Sequence, residues 1–128
     1  MKETLLKWHQ FVEKPNPAIL NEILEENVKF HSPFVWKPKE GKIITIGILM
    51  TVTEIFQDFH YVREIISENQ MCLEFQAKVG EFTLRGVDLI ELNAEGKIID
   101  FEVMIRPANA LQALGAEVGK RLAEKGFI

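Results

Sequence analysis

The segment Phe82–Pro107 constrains the fold more than any other part of the chain. It reads as two long strands joined by a tight turn at Asn93–Gly96, because apolar and polar residues alternate on both sides of that turn. Residues of one parity in the first strand share a face, and that face is apolar or small except for one aspartate: Phe82, Leu84, Gly86, Asp88, Ile90 and Leu92. An unpartnered carboxylate on such a face is destabilising, so Asp88 must be hydrogen-bonded, protonated or at the wall of a cavity.

Length and charge narrow the class of protein. A chain of 128 residues with a net charge of −4 suits one domain, which we predict over residues 1–128. The acidic balance weighs against nucleic acid and against an anionic membrane surface as partners. The N-terminus has no apolar run typical of a signal peptide, and Ile43–Met50 is too short to span a bilayer. Cys72 is the only cysteine, so we expect no disulfide and a cytoplasmic location.

No motif predicts a metal or a cofactor. The three histidines, His9, His31 and His60, share no spacing that places two on one helix face, and no acidic cluster accompanies them. A glycine-rich phosphate loop and a nucleophile elbow are both absent from the sequence. We therefore expect neither a metal site nor a cofactor.

The remaining elements follow from periodicity and from proline. Helices are predicted over Thr4–Glu13, over a short stretch after Asn16 that carries Leu20, Ile23 and Leu24, over Lys42–Phe56, and from Pro107 to about Lys125. Strands are predicted at Val28–Phe30, Phe59–Glu68 and Met71–Val79, with a polar loop at Phe34–Gly41. Early helices followed by a long meander predict an α+β domain. Because long strands twist, we expect a curved antiparallel sheet wrapped around the N-terminal helices, with a C-terminal helix beyond it.

This order of elements resembles the nuclear transport factor 2-like superfamily, the cone-shaped α+β fold of ketosteroid isomerases and SnoaL-like polyketide cyclases. The resemblance spans nearly the whole chain. It rests on an opening helix with Trp8, the segment ILEENVKFHSP, Gly41 before the third helix, and VDLIELNAEGKIIDFEVMIRP. The scaffold hosts enzymes, binding proteins and association modules, so it is more specific for fold than for activity.

The chemistry of ketosteroid isomerases transfers only in part. That family uses a carboxylate base just before a proline, a tyrosine on the first helix and a protonated aspartate on a later strand. By resemblance, Asp88 matches the aspartate, but Ser32 stands before Pro33 and Trp8 stands at the tyrosine position. Steroid isomerisation by that mechanism is therefore not supported by the sequence.

The resemblance makes Asp88 and His31 the candidate catalytic residues. Asp88 is either a neutral carboxyl group that donates a hydrogen bond to a developing oxyanion, or a structural aspartate satisfied inside the fold. His31 adjoins the family's base position, but in a regular strand it points away from Ser32 and enters the pocket only if the chain bends before Pro33.

Eight residues are predicted to line the pocket: Trp8, Ser32, Tyr61, Arg63, Ile90, Phe101, Val103 and Ile105. Tyr61 and Arg63 share a face if β pairing is regular. From there Arg63 would neutralise Asp88, bind an anionic ligand at the mouth of the cone, or simply reach solvent.

Two functions of different class remain open. One is a pocket that binds a small, largely apolar molecule, with isomerase-, cyclase- or dehydratase-like use of Asp88 as donor or acid. The other is a non-catalytic association domain in which Asp88 is structural. Relatives commonly dimerise through the outer face of the sheet, so a homodimer is expected through the face that carries Cys72, Val87, Leu89 and Met104. An open space beside Asp88 would favour the pocket, and a space filled by Trp8, Phe30 and Phe56 would exclude it.

Overall fold

The computed structural model describes all residues from 1 to 128, and it forms an α+β cone with a C-terminal helix. The helices are α1 (Lys2–Glu13), α2 (Pro17–Ile23), α3 (Lys42–Ile55) and α4 (Ala108–Glu124). The strands are β1 (Leu24–His31), β2 (Lys39–Glu40), β3 (Gln57–Ser67), β4 (Gln70–Val79), β5 (Phe82–Leu92) and β6 (Ile98–Arg106). None of the helices is both long enough and apolar enough to cross a membrane.

The predicted elements are confirmed with two local exceptions. Leu24, which was predicted to be helical, begins β1, because it takes an extended conformation directly after α2 and pairs with Ile98. Lys39 and Glu40, which were predicted to lie in a loop, form the short strand β2 against Phe30 and Lys29. Both differences extend the sheet at its β1 edge.

The six strands form one curved, unclosed sheet in the order β2-β1-β6-β5-β4-β3. Strands β3 to β6 are an antiparallel meander, as predicted. The pairing of β1 with β6 is parallel, so the sheet is mixed rather than wholly antiparallel. A parallel pair needs a long connection, and here the connection contains α3 and most of the meander.

The register of the meander places Asp88 on the inner face of the sheet. Leu73 on β4 and Val103 on β6 lie directly opposite it. The next inner row along the strands joins Tyr61, Phe75, Gly86 and Ile105. On the other side of Asp88, the neighbouring inner row consists of Met71, Ile90 and Phe101.

Helices cover the two ends of this inner face differently. Trp8 and Phe11 of α1 are buried against the sheet, with the Trp8 ring 5.2 Å from the ring of Phe101. At the other end α4 buries Leu114, Val118 and Leu122. These two arrangements leave one end of the cone filled and the other hollow.

The end of α4 is fastened to α3. Lys125 Nζ donates hydrogen bonds to Thr51 Oγ1 at 3.0 Å and to Glu54 Oε2 at 2.8 Å. Phe127 lies over Gly47 so closely that a β-carbon on Gly47 would come within 2.4 Å of its ring. The last helix is therefore held as a fixed wall above the hollow end.

Candidate functional site

A cavity of about 560 Å³ opens beside Asp88 under α4. Hydrophobic residues make up 18 of the 27 that line it. They come from every layer of the fold and include Trp8, Phe30, Val52, Phe56, Phe59, Phe75, Val103, Ile105 and Val118. Both the volume and the apolar lining are typical of sites for small organic molecules.

The three side chains that could have filled the space beside Asp88 leave it open. Trp8, Phe30 and Phe56 stand in its wall, and the cavity remains open between them. Phe56 belongs to an aromatic group with Phe59 and Phe75, in which the rings of Phe59 and Phe75 stack at 4.9 Å. The cavity therefore has a rigid aromatic wall on its β3–β4 side.

Asp88 ends a chain of hydrogen bonds that begins on α1. The indole Nε1–H of Trp8 donates to the Tyr61 hydroxyl oxygen at 2.6 Å, and the Tyr61 O–H donates to Asp88 Oδ2 at 3.0 Å. Because the phenol accepts from Trp8, its single proton is directed at Asp88. Trp8 thus fixes the orientation of Tyr61, and Tyr61 holds one oxygen of the carboxyl group.

The other oxygen of Asp88 is left for the cavity. Asp88 is only 5% exposed and lines the cavity wall, and the only hydrogen-bond partner of its carboxyl group is Tyr61. The structure contains no buried side-chain oxygen or nitrogen without a partner, so the unbonded Oδ1 reaches open space. A bound molecule can meet the carboxyl group there.

Burial sets the charge of this group. Removal from water raises the pKa of Asp88 from 3.8 to about 7, although the hydrogen bond from Tyr61 acts in the opposite direction. Burial, followed by the nearby Asp88, raises the pKa of Tyr61 well above its ordinary value, so the phenol keeps its proton. At neutral pH the Asp88 carboxyl group therefore exists in both forms, one that donates and one that accepts a proton.

The cavity wall holds few other polar groups, and each is either hydrogen-bonded within the protein or exposed to solvent. Ser32 Oγ accepts from the backbone N–H of Phe34 at 3.2 Å, and Thr53 Oγ1 donates to the Met50 carbonyl at 2.6 Å. Glu13 and Lys39 are exposed where they line the cavity. Asp88 is consequently the single buried ionisable group on the wall.

Four of the predicted lining residues do line the cavity: Trp8, Ser32, Val103 and Ile105. The prediction is wrong for Ile90 and Phe101, which lie one row beyond Asp88. Both are almost wholly buried in the core, where Trp8 packs on Phe101. Tyr61 also lies outside the lining and contacts Asp88 from behind the wall.

The placement of Arg63 in the pocket is wrong because β3 carries a bulge. Tyr61 lies opposite Phe75 while Arg63 lies opposite Glu74, so β3 advances two residues where β4 advances one. The extra residue reverses the parity of the strand. The Arg63 side chain is 65% exposed and pairs with Glu74 at 2.9 Å, on the outer face of the sheet.

His31 does not enter the cavity either. It lies at the end of β1 opposite Glu102, with the ring Nε2 2.9 Å from Asp100 Oδ1. From Lys29 to His31 the pairing with β6 is regular, so the alternation of side chains carries His31 to the outer face while Ser32 turns inward. No three histidine, cysteine, aspartate or glutamate side chains are grouped to hold a metal ion.

The sequence reasoning missed the contribution of α4. Leu114, Gly115, Val118, Gly119 and Leu122 all line the cavity. Their apolar stripe was visible, but it is equally typical of a helix packed on a closed core. The feature that distinguishes a helix over a cavity from a helix on a closed core is the pair Gly115 and Gly119, which lie four residues apart on the same face as the leucines.

The chain is similar to several solved structures. One is a crystal structure described as a steroid delta-isomerase from Pseudomonas aeruginosa, with 41% identity, a TM-score of 0.93, and coverage of 97% of this chain and 92% of that one. A second is an uncharacterized protein with a cystatin-like fold from Silicibacter pomeroyi DSS-3, with 35% identity, a TM-score of 0.89, and coverage of 94% and 85%.

A more distant structure has the same fold. It is an NTF2-like protein of unknown function from Cytophaga hutchinsonii ATCC 33406, with 20% identity, a TM-score of 0.66, and coverage of 86% of this chain and 93% of that one. No protein-family model matches the chain, and no curated protein matches it.

Proposed function

The chain belongs to the nuclear transport factor 2-like superfamily, and on that premise we propose that it binds a small, largely apolar molecule beside Asp88. The observation that carries the proposal is the apolar cavity of about 560 Å³ with one buried ionisable group on its wall. A ligand suited to this site has an apolar body and one oxygen, such as that of a ketone, which accepts a hydrogen bond from the protonated carboxyl group at Oδ1.

The proposal makes binding depend on the protonation of Asp88. Burial raises its pKa to about 7, and a ketone oxygen interacts favourably only with the protonated form. Affinity for a ketone should therefore be constant at low pH and fall about tenfold for each pH unit above 7. A neutral hydrocarbon of the same shape should show no such dependence.

A pair of substitutions at Asp88 tests this. 2-Decalone serves as the probe, with calorimetry as the readout. Asp88→Asn keeps a hydrogen-bond donor facing the cavity and cannot ionise, so it should bind 2-decalone with little change in affinity and without the fall above pH 7. Asp88→Leu removes the donor and should weaken binding by about tenfold, the effect of losing roughly 1.4 kcal/mol of hydrogen bonding. Equal affinity of Asp88→Leu and the unaltered protein at pH 6 would contradict the proposal.

A second candidate is proton transfer within the bound molecule, and the specific observation in its favour is the 41% identity to the protein described as a steroid delta-isomerase. In this reading ionised Asp88 removes a proton from a carbon beside a carbonyl group and returns it at another carbon of the same molecule, so that a double bond moves and no atoms are gained or lost. Asp88 would have to act without a second buried acid, because the cavity wall contains none.

The same variants separate proton transfer from binding. The substrate is a 3-keto steroid with an unconjugated ring double bond, and the readout is the ultraviolet absorbance of the conjugated product. Asp88→Asn would retain binding and lose turnover, because an amide donates a hydrogen bond but does not accept a proton at neutral pH. Turnover by Asp88→Asn at the rate of the unaltered protein would exclude Asp88 as the group that moves the proton.

We also propose that the protein works in the cytoplasm, where its free Cys72 would stay reduced. We further propose that two copies associate through the outer face of the sheet. Support for association comes from two outer rows of the register that mix charged side chains with apolar ones, of which Ile65 and Met104 are exposed and the others half-buried: Arg63, Glu74, Val87 and Met104 in one, and Ile65, Cys72, Leu89 and Glu102 in the other. Met104→Lys should give a monomer in sedimentation experiments, and Leu6→Lys on exposed α1 is the control. A monomeric unaltered protein would end this proposal without affecting the cavity.

A further inference from the structure

We propose that the bound molecule packs directly against the backbone of α4 at Gly119, and that the missing side chain there sets the widest ring system that the cavity accepts. This inference rests on the proposed binding function and adds the shape of the ligand to it.

Seven of the eight glycines are explained by the protein itself. Four have a positive φ, a backbone angle that residues other than glycine rarely adopt: Gly41, Gly80, Gly96 and Gly126. Three others lie under a ring, so that a β-carbon would approach it too closely, at 2.4 Å for Gly47 and Phe127, 2.4 Å for Gly86 and Phe75, and 3.1 Å for Gly115 and Phe34.

Gly119 has neither reason. It lies inside α4 with helical neighbours on both sides, where glycine is less favourable than alanine. Apart from its chain neighbours and the backbone of its own helix, no atom lies within 4 Å of the position that its β-carbon would take. Gly119 nevertheless lines the cavity, so the unoccupied position belongs to the space that a ligand would fill.

An independent feature of the same cavity also points to a ligand. Oδ1 of Asp88 has no hydrogen-bond partner within the protein and reaches the cavity, on a residue that is only 5% exposed. The cavity therefore offers an unsatisfied polar atom on β5 and a bare stretch of helix backbone on α4. A molecule that met both would place its oxygen at Asp88 and an apolar surface at Gly119.

The neighbours of Gly119 define that surface. Val118 and Leu122, on the same helix, line the cavity and carry no charge. A helix without a β-carbon at one position admits close approach of a flat group, because nothing projects from the backbone there. The ligand class that follows is a fused-ring or similarly broad carbonyl compound rather than a flexible or charged one.

The experiment measures affinity across a series of rising width. The probes are cyclohexanone, 2-decalone and a 3-keto steroid, with naphthalene as a flat compound that makes no hydrogen bond to Asp88. The proteins are the unaltered chain, Gly119→Ala, Gly119→Leu and, as the matched control, Ala116→Leu, which places the same side chain at an exposed position of α4. Melting temperatures accompany the series, and Gly119→Ala should melt at or above the temperature of the unaltered protein.

Gly119→Leu is expected to lower the affinity for the steroid and for naphthalene at least tenfold and that for cyclohexanone less than twofold, with Gly119→Ala between. Ala116→Leu should bind all four probes like the unaltered protein. Equal affinities of Gly119→Leu and the unaltered chain for every probe would overturn the inference, as would the failure of all four to bind. If the Gly119 effect is present but ketone binding ignores Asp88, the proposed role of Asp88 fails and this inference stands.

Discussion

The two ends of the cone use the same strands and give opposite results. At the closed end the inner row of Met71, Ile90 and Phe101 is almost fully buried, and Trp8 of α1 packs on Phe101. At the open end the row that contains Phe75, Gly86 and Ile105 faces α4 across the cavity. Asp88 stands in the row between them.

The difference shows how a small fold can combine stability with a site. The large side chains of the closed end are fully buried, and they supply the packing that stabilises the domain. The open end has glycines at Gly86 and Gly115, which are covered by the rings of Phe75 and Phe34, and at Gly119, where a side chain would enter unoccupied space. It also holds the one buried carboxyl group. A polar residue at the boundary can be tolerated because the closed end supplies the compensating free energy.

Truncation of a large side chain at each end should show this division directly. Phe101→Ala at the closed end should lower the free energy of unfolding by about 3–5 kcal/mol, because it leaves a void among packed neighbours. Ile105→Ala, which enlarges an existing cavity, should cost about 1–2 kcal/mol, below the usual range for a buried isoleucine. Urea unfolding measures both, and equal losses would mean that the cavity wall is as tightly packed as the core.

Asp88 should make the stability of the protein depend on pH. The folded-state pKa of about 7 lies above the ordinary 3.8, so between these values the folded state binds the extra proton. The contribution of Asp88 is therefore fully present below pH 4, decreases as pH rises, and is lost above pH 7. About three pKa units correspond to at most about 4 kcal/mol.

The measurement is the difference in unfolding free energy between the unaltered protein and Asp88→Asn at a series of pH values. The difference should move in favour of Asp88→Asn as pH rises from 4 to 8, because the amide never ionises. A difference that stays constant over this interval would show that the carboxyl group keeps an ordinary pKa. Ser32→Ala, on the same wall, is the control and should show no such trend.

Smaller effects are expected from the hydrogen bonds behind the wall. Tyr61→Phe removes the bond that favours ionised Asp88, so the pKa of Asp88 should rise by about one unit. Trp8→Phe leaves Tyr61 free to turn its proton away and should raise the pKa in the same direction by less. Carbon-13 nuclear magnetic resonance of the Asp88 carboxyl group follows both titrations, and a fall in either variant would contradict the direction of the hydrogen bonds.

The smallest effect is expected on the outer face. Arg63→Met should leave ketone affinity unchanged and alter the free energy of unfolding by less than about 0.5–1 kcal/mol, because the Arg63 side chain is 65% exposed and water screens its pair with the more buried Glu74. Glu74→Gln should behave in the same way and serves as its companion. A tenfold loss of ketone affinity in Arg63→Met would show that Arg63 contributes to the binding site.

The sequence predicts the sheet well because period two is a strong signal over long strands. It placed Asp88 on the inner face of β5 and identified α3 from its length, and both hold in the structure. It failed at Arg63, because a one-residue bulge in β3 reverses the face of every later side chain and leaves no mark on composition. The sequence also wrongly predicted Phe101 to line the pocket. Periodicity assigns a residue to one face of the sheet, but it does not say which helix covers each row of that face.

The parallel pairing of β1 with β6 determines when the cavity comes into existence during folding. The meander from β3 to β6 is built from neighbouring hairpins, whereas the bond between His31 and Asp100 joins residues 69 positions apart. Contacts between distant parts of a chain form slowly, because a long loop must close first. We expect Trp8, Phe30 and Ser32 to reach the cavity only after that closure. A ligand of the proposed kind should therefore bind only the folded chain and slow unfolding, without making folding faster.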